Sequence, residues 1–407
     1  MQFLRDCLTP EDCLTPELRL LTELARPSPE LGVLRHLVSE VSAWESVLAA
    51  ARRHGVAPLA YRRLREHCAD CVPAAVLQRL REHYRHNAIR NLALMRELGA
   101  LLDAMRGKGV KIIPLRGPVM AARLYGDAAL RECADLDVLV RRDELEAVCS
   151  ALRDRGFRPV RELDAAQRRL ELRDGCEVSY GREDGLYIEP HWELMPKTYA
   201  WGLRAEDVWG QAVPVALDGV SILQLSPEHS FVLLCAHAAK HGWDTLRDVA
   251  DVAWFLHSAA FDAARVRAWA ERTRCRLAVL ASCALAEALL GARAPKELQQ
   301  ADRRVRSLCN RVLESWCREQ SGPSELRDWI LRWRVLDGAP NKLRFAFRAL
   351  LAPSVNDLEL VRLPRPLFPL YYPLHAARMA VRYGLRPLVR RTLACLRATL
   401  PARIAER

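Results

Sequence analysis

The 407-residue sequence has no apolar run approaching the roughly 20 residues that a membrane-spanning helix needs. Its first residues, MQFLRDCLTP, lack the basic segment followed by an apolar run that is typical of a secretory signal. It also has no repeat of long period and no large low-complexity segment. We therefore expect a soluble or peripheral protein of the cytoplasm, with no transmembrane segment.

The 13 cysteines are odd in number and do not form a spacing framework, so we expect reduced thiols rather than disulfides. Cys68 and Cys71 form a single CxxC pair behind His67. No second pair follows at zinc-finger spacing, so the sequence does not favour zinc or redox use of this pair.

Acidic residues are scarce at the C-terminal end. From residue 341 onward there are 13 Lys and Arg against 3 Asp and Glu, a net charge of +10 out of +12 for the whole chain. Such a segment predicts an acidic partner, either nucleic acid, anionic lipid or an acidic protein, or else a solvated Arg-rich surface. We favour the solvated surface packed against the rest of the protein; nucleic acid is the alternative, and peripheral membrane contact is not favoured.

The length predicts two or three domains. The apolar spacing predicts helices over residues 1–106 and 226–340, short strands and helices over 107–225, and a basic C-terminal segment over 341–407. The fold class expected from this order is α+β, with a small mixed sheet in the 107–225 core flanked by helical regions. Strands are predicted at 110–114, 134–140 and 157–160, and a hairpin joins 176–180 to 186–192 through GREDG.

Two carboxylates fall inside the apolar stretch ADLDVLV. Side chains two apart on a strand share one face, so Asp135 and Asp137 are predicted to project together. Like charges held that close repel each other and are costly to bury, and a divalent cation relieves both costs. Mg²⁺ is commonly held by one or two carboxylates together with substrate phosphates. A solvated strand end is the alternative explanation.

The neighbouring segments favour the metal site. Glu189 lies in a second strand-like run, YIEPHW, and a three-acid site on two strands is one way to hold two Mg²⁺ ions. Gly117 opens a predicted helix just after a strand, where backbone N–H groups favour phosphate. Arg116 and Arg131 supply guanidinium groups that could contact the same phosphates.

A later helical segment, HAAKHGW, places His237 and His241 four residues apart on one helix face, with Lys240 beside them. Three explanations stay open: packing or surface hydrogen bonding, a zinc site that recruits Asp244, or contacts with the phosphate or base of a nucleotide.

The order of these segments resembles the DNA polymerase beta-type nucleotidyltransferase superfamily. More closely, it resembles a poorly characterised bacterial nucleotidyltransferase family. The resemblance covers roughly residues 87–256. It rests on Leu115-Arg116-Gly117, Leu124-Tyr125-Gly126-Asp127, Arg131, the segment from Asp135 to Val140, Glu189-Pro190-His191-Trp192, and His237, Lys240, His241 and Trp243.

The resemblance implies transfer of an NMP from an NTP to an acceptor, with release of pyrophosphate. Asp135, Asp137 and Glu189 would be catalytic and would bind Mg²⁺ or Mn²⁺. The contacts to the NTP would come from a second set of residues: Arg116, Gly117, Arg131, His237, Lys240 and His241. The acceptor is not identified by the sequence and could be a small molecule or a protein side chain.

The sequence departs from the family pattern at three positions. Pro118 follows Gly117, so the helix start has no hydroxyl; Arg116 replaces the family lysine; and Glu189 replaces an aspartate. These changes motivate a second hypothesis, a nucleotide-binding or scaffold protein without turnover. The basic C-terminal segment motivates a third, a nucleic-acid-modifying member of the same superfamily.

Overall fold

The computed structural model describes residues 14–217, 220–299, 302–317 and 325–381. Most of the predicted helix in the basic C-terminal segment therefore lies outside the described residues. Of the +10 segment, the structure describes only its first part.

The N-terminal part is helical, as predicted. Its long helix ends at Gly107, where Val110 N–H closes the last turn on Met105. Buried leucines of this helix, among them Leu94, Leu98 and Leu101, pack against the sheet. The helices are α1 (Pro16–Ala25), α2 (Leu31–Glu40), α3 (Trp44–Arg53), α4 (Ala57–His67) and α5 (Ala74–Arg106).

A five-stranded mixed sheet follows, with the order β1-β2-β5-β4-β3. Strands β2 and β5 are parallel, and the other neighbouring pairs are antiparallel. The strands are β1 (Ile113–Pro114), β2 (Leu136–Leu139), β3 (Arg158–Pro159), β4 (Tyr180–Gly181) and β5 (Tyr187–His191). The interspersed helices are α6 (Pro118–Tyr125), α7 (Leu145–Asp154) and α8 (Ala165–Asp174). The predicted fold class, α+β with a small mixed sheet between helical regions, is confirmed.

The centre of the sheet is β2, whose four residues are all buried. One side of the sheet packs on α5 and α7, and the other joins the large apolar core of the C-terminal helices. Parallel strands buried on both faces are mostly apolar, which explains the run of Leu and Val around Asp137. Any charge inside β2 must therefore find its partners within the protein.

Three elements were missed by the sequence-based prediction: two helices and a second sheet. Helix α8 begins at Asp164, whose side chain caps the helix reciprocally with Gln167, a capping box that the sequence displays. A separate two-stranded antiparallel sheet, β6 (Val213–Leu217) with β7 (Val220–Gln224), precedes the C-terminal helices. It follows a short helix, α9 (Ala205–Trp209).

The C-terminal part is again helical from Pro227, where Ser226 caps the first helix. The proline-rich stretch is broken, as its four prolines predict, into a helix, a 3₁₀ segment (Arg365–Leu370) and another helix. The helices are α10 (Pro227–Lys240), α11 (Leu246–Ser258), α12 (Ala263–Arg272), α13 (Arg276–Leu290), α14 (Arg303–Cys317), α15 (Glu325–Val335), α16 (Ala339–Leu351), α17 (Val355–Leu360) and α18 (Tyr371–Ala380). Among the described residues, none of these helices is long and apolar enough to cross a bilayer.

The N-terminal and C-terminal helices are joined at His54, the residue that follows α3. Its Nδ1 accepts a hydrogen bond from Leu246 N–H at 3.2 Å, and its carbonyl accepts one from Arg247 N–H at 3.1 Å. An acceptor Nδ1 requires a ring that is not doubly protonated. Burial, with a smaller contribution from Arg53, lowers the pKa of His54 to about 4.

This geometry predicts a pH-dependent loss of stability. The unfolded chain takes up a proton at His54 near pH 6.5, but the folded chain resists until about pH 4. As the pH is lowered from about 6.5 to about 4, the free energy of unfolding should therefore fall, and this residue should account for on the order of 3 kcal/mol of the loss. Urea unfolding across the window measures it.

The matched variants are His54→Asn, which retains an acceptor near Nδ1 without titrating, and His257→Asn at an exposed position. The pH dependence should flatten in the first and stay unchanged in the second. An unchanged slope in His54→Asn would contradict the assignment.

Candidate active site

The register of β2 and β5 places Asp137 directly beside Glu189. Adjacent strands lie about 4.8 Å apart, so two acidic side chains on the same face of these strands are held close together. Asp135 lies just before β2, because the strand begins at Leu136, two residues later than predicted. The three predicted carboxylates therefore meet at one end of the central strand pair.

Asp137 is only 2% exposed and has two close partners. Arg116 Nη2 lies 2.9 Å from its Oδ2, and His191 Nε2 lies 2.8 Å from its Oδ1. Burial alone would raise its pKa, but Arg116 and His191 outweigh it, and the pKa of Asp137 falls well below the ordinary value. Asp137 is therefore ionised, and His191 donates to it through Nε2–H.

Asp135 and Glu189 are less well compensated. Burial, followed by the charge of Asp137, raises the pKa of Asp135. Burial also raises the pKa of Glu189, against a hydrogen bond that Ser179 donates to it. Among the described residues neither carboxylate forms a salt bridge. The site thus carries an excess of negative charge, which is the condition that a cation relieves.

The ligand atoms of Asp137, Glu189 and His191 lie within 4.8 Å of one another. Asp135 is not part of that set. Carboxylate oxygens suit Mg²⁺ or Mn²⁺, whereas an imidazole suits transition metals better. The oxygen donors of Asp135, Asp137 and Glu189 therefore fit the cation that the sequence predicts, and His191 fits better as a partner of Asp137.

Gly117 makes the turn from β1 into α6, next to the carboxylates. Its φ of 84° and ψ of −151° belong to a region that side chains rarely adopt. An added Cβ would lie 3.3 Å from the backbone oxygen of Asp135. Gly117 thus opens a helix directly after a strand, as predicted, and the start of α6 is held against the segment that carries Asp135.

The end of α10 approaches the same carboxylates. The charge of Lys240 helps to lower the pKa of both Asp137 and Glu177, so its ammonium group lies within electrostatic range of them. The rings of His237 and His241 are 4.5 Å apart. Burial and then the charge of Arg116 lower the pKa of His237 well below its ordinary value, so this imidazole is neutral near pH 7.

Arg131 has a different environment from the other predicted ligands. It is 7% exposed, and its Nε donates to both oxygens of Asp251 at 3.0 and 2.9 Å. Tyr125 O–H donates to the same carboxylate at 2.7 Å. The guanidinium thereby ties the segment before β2 to α11, and its contact with phosphate stays a prediction.

Sequence reasoning missed Glu177, which pairs with His191 across an antiparallel bridge. The predicted hairpin over 176–192 was the available signal, because its register decides which residue faces His191.

Sequence reasoning also missed how one face of α5 anchors the segment before β2. Asn87 and Asn91 donate to the carbonyls of Arg131 and its neighbours at 2.7–2.9 Å, and Arg90 donates to Cys133 at 3.0 Å.

Comparison with known proteins places the chain among nucleotidyltransferases. The family model described as "Uncharacterised nucleotidyltransferase" matches residues 40–291, more than half of the chain. No curated protein matches the sequence.

Two solved structures show weaker similarity. The solution structure of the antibiotic-resistance factor ANT(2'')-Ia is 14% identical, covers 47% of this chain and 96% of its own, and has a TM-score of 0.35. The crystal structure of ANT(2'')-Ia with adenylyl-2''-tobramycin is 15% identical, covers 44% and 97%, and has a TM-score of 0.32. These values are too low to support a conclusion about function.

The Gly117 geometry predicts a stability cost for Gly117→Ala of about 1–3 kcal/mol, because the backbone conformation is unfavourable for alanine and the new Cβ crowds Asp135. Gly126→Ala is the matched control: its φ is 71°, but nothing lies within 4 Å of the added Cβ. It should cost about 1–2 kcal/mol, and less than Gly117→Ala in the same experiment. Urea unfolding compares them, and equal costs would show that the contact with Asp135 is unimportant.

The buried ion pair predicts that Asp251→Asn destabilises the protein by about 3–5 kcal/mol, because Arg131 keeps its charge without a counter-ion. The exposed pair Arg267–Glu271, at 3.1 Å, is the control. Glu271→Gln should cost at most about 1 kcal/mol. Urea unfolding measures both variants. If Asp251→Asn lowers the free energy of unfolding by less than about 1 kcal/mol, the buried pair does not stabilise the fold as predicted.

Proposed function

We propose, since the chain belongs to the uncharacterised nucleotidyltransferase family, that it transfers an NMP from an NTP to an acceptor and depends on Mg²⁺ or Mn²⁺. The observation that supports this most is the meeting of Asp135, Asp137 and Glu189 beside the glycine that opens α6. An acceptor hydroxyl or amine would attack the α-phosphorus, and the bond to pyrophosphate would break.

Asp135, Asp137 and Glu189 would hold the metal. When bound, Mg²⁺ or Mn²⁺ supplies positive charge to the oxygens of the triphosphate during the displacement. The fit rests on the donor set and on the uncompensated charge of Asp135 and Glu189. His191 would fix the orientation of Asp137 through its 2.8 Å hydrogen bond.

The cationic side of the site would bind the triphosphate. Arg116 is 15% exposed at its side chain, and a guanidinium carries five N–H donors, so its contact with Asp137 does not exhaust it. Lys240 lies in the last turn of α10, where a cation is also favoured by the helix dipole. We assign both to phosphate binding, with His237 and His241 as neutral hydrogen-bonding groups beside them.

Arg131 has a supporting part in this proposal. Its guanidinium is buried against Asp251, so it would position the segment that carries Asp135 rather than contact the nucleotide.

One observation favours a protein that binds nucleotide without turnover. Both oxygens of Asp137 already have partners, Arg116 and His191, and these must be shared with a metal ion. The nucleic-acid alternative rests on the basic C-terminal segment, of which residues 382–407 lie outside the described part of the chain, and it stays a prediction. The acceptor is also open, as a small molecule or a protein side chain.

The proposal predicts that Asp135→Asn and Asp137→Asn abolish metal-dependent NTP binding and lower pyrophosphate release by roughly 100-fold or more, since metal clamping supplies several kcal/mol. Each of the four NTPs is tested with Mg²⁺ and with Mn²⁺, by calorimetry for binding and by a coupled assay for pyrophosphate. Asp184→Asn is the control, because this carboxylate lies in the turn before β5 and pairs with Arg182.

The outcomes separate the hypotheses. Release that is lost in the Asp135 and Asp137 variants, but retained in Asp184→Asn, supports an enzyme. Binding without release, even after cell extract is added as a source of acceptor, supports the protein without turnover. Absence of metal-dependent binding to every NTP would overturn the proposal.

A further inference from the structure

The side of His191 that faces away from Asp137 ends in an unsatisfied nitrogen. His191 is 3% exposed, and its Nδ1 is buried without a hydrogen bond. Its nearest acidic neighbour, Glu177 Oε2, lies 3.3 Å away. His191 donates Nε2–H to Asp137. If the ring is neutral, its Nδ1 therefore carries a lone pair, and this lone pair faces the carboxylate of Glu177, which is also a hydrogen-bond acceptor. That arrangement is unfavourable unless a proton or a cation lies between them.

Two further donors lie around this nitrogen. The segment that precedes β4 pairs with the end of β5, so that Glu177 lies opposite His191. Trp192 N–H bonds the carbonyl of Cys176 at 2.9 Å. Cys176 Sγ is 3.3 Å from Glu177 Oε2. One ligand atom from each of Cys176, Glu177 and His191 can be chosen so that all three lie within 4.8 Å of one another.

The donor types decide which ion suits this cluster. A thiolate, an imidazole and a carboxylate together suit Zn²⁺, whereas Mg²⁺ prefers oxygen donors alone. Cys176 is 3% exposed, while the Glu177 side chain is 32% exposed and gives the cluster contact with solvent. We propose that Cys176, Glu177 and His191 Nδ1 form a second cation site, for Zn²⁺ or a similar thiophilic divalent ion, behind the carboxylate site.

The surrounding charges permit such a site. Burial and the charge of Glu177 raise the pKa of the Cys176 thiol, while Lys240 and Arg116 favour its thiolate. Metal binding replaces the thiol proton, as in other cysteine sites. Apart from His191 itself, the carboxylates Asp135, Asp137, Glu177 and Glu189 outnumber the nearby cations Arg116, Lys240 and Arg131, and Arg131 is already paired with Asp251.

The ion would have a consequence for the neighbouring site. A metal on Nδ1 fixes the ring tautomer, so that Nε2–H must point to Asp137, and carboxylate–histidine–metal arrangements of this kind orient their members. The second site would thereby hold Asp137 in place without touching the nucleotide. This inference does not depend on nucleotide transfer, because it concerns ion binding alone.

Cobalt titration of the full chain tests the site. Co²⁺ replaces Zn²⁺ and gives a thiolate-to-metal absorption band, and an excess of Mg²⁺ keeps it from the oxygen-only site. Wild type should show the band, Zn²⁺ should displace it, and Cys176→Ser should lose it. Glu177→Gln should keep the thiolate but bind Co²⁺ at least about 10-fold more weakly. Far-UV circular dichroism checks that each variant is folded.

The matched control is Cys71→Ser, at the exposed end of the CxxC pair, which should leave the band unchanged. No band in wild type would overturn the proposal and leave His191 doubly protonated between Asp137 and Glu177. A band that survives in Cys176→Ser but disappears in Cys71→Ser would also overturn it. Glu177→Gln, which leaves all cysteines intact, keeps the test decisive if Cys176→Ser does not fold.

Discussion

The repulsion between carboxylates on two adjacent parallel strands is the constraint around which this structure is organised. The β2–β5 register sets Asp137 beside Glu189, inside a sheet whose central strand is buried on both faces. Burying unpaired charge is costly, so the fold must supply cations or hydrogen-bond donors nearby. It supplies them unevenly. Asp137 receives Arg116 and His191, and Asp135 and Glu189 are left with raised pKa values. Among the described residues, that unevenness leaves two of the three carboxylates without an ion-pair partner, which is the feature on which the proposed cation site rests.

The compensating groups come from distant parts of the chain. Arg116 belongs to the turn between β1 and α6, and Lys240 to the last turn of α10. The segment before β2 is held from both sides, by Asn87 and Asn91 of α5 and by the Arg131–Asp251 pair that reaches α11. The helical regions therefore do more than surround the sheet. They fix the position of Asp135 and contribute charge to the site, so the 107–225 core of the predicted division would lack part of its site if it were isolated.

Much of this arrangement was accessible from the sequence, because it depends on local patterns. The two-residue spacing of Asp135 and Asp137, the hairpin that carries Glu189 and the glycine turn at Gly117 are all short-range features. What escaped prediction depends on register and on long-range packing. Glu177 becomes a neighbour of His191 only when the pairing over 176–192 is known, and the partner of Arg131 lies 120 residues away. The β6–β7 hairpin was missed although its strands flank Asp218-Gly219, a dipeptide typical of tight turns.

Arg116 stands where the resemblance implies a lysine, and the arginine is consistent with the same constraint. A lysine ammonium is a compact point charge, whereas a planar guanidinium can face a carboxylate with one edge and a phosphate with another. Arg116 contacts Asp137 through Nη2 at 2.9 Å, and burial of the pair leaves 15% of its side chain exposed. A phosphate near Gly117 would share this guanidinium with Asp137 and so weaken its hold on Oδ2. The same step that brings in the negative triphosphate would then free a carboxylate oxygen for the metal that accompanies it. Arg116 thus has the chemistry to neutralise Asp137 and, under the proposed function, to leave one of its oxygens to a metal when a triphosphate binds.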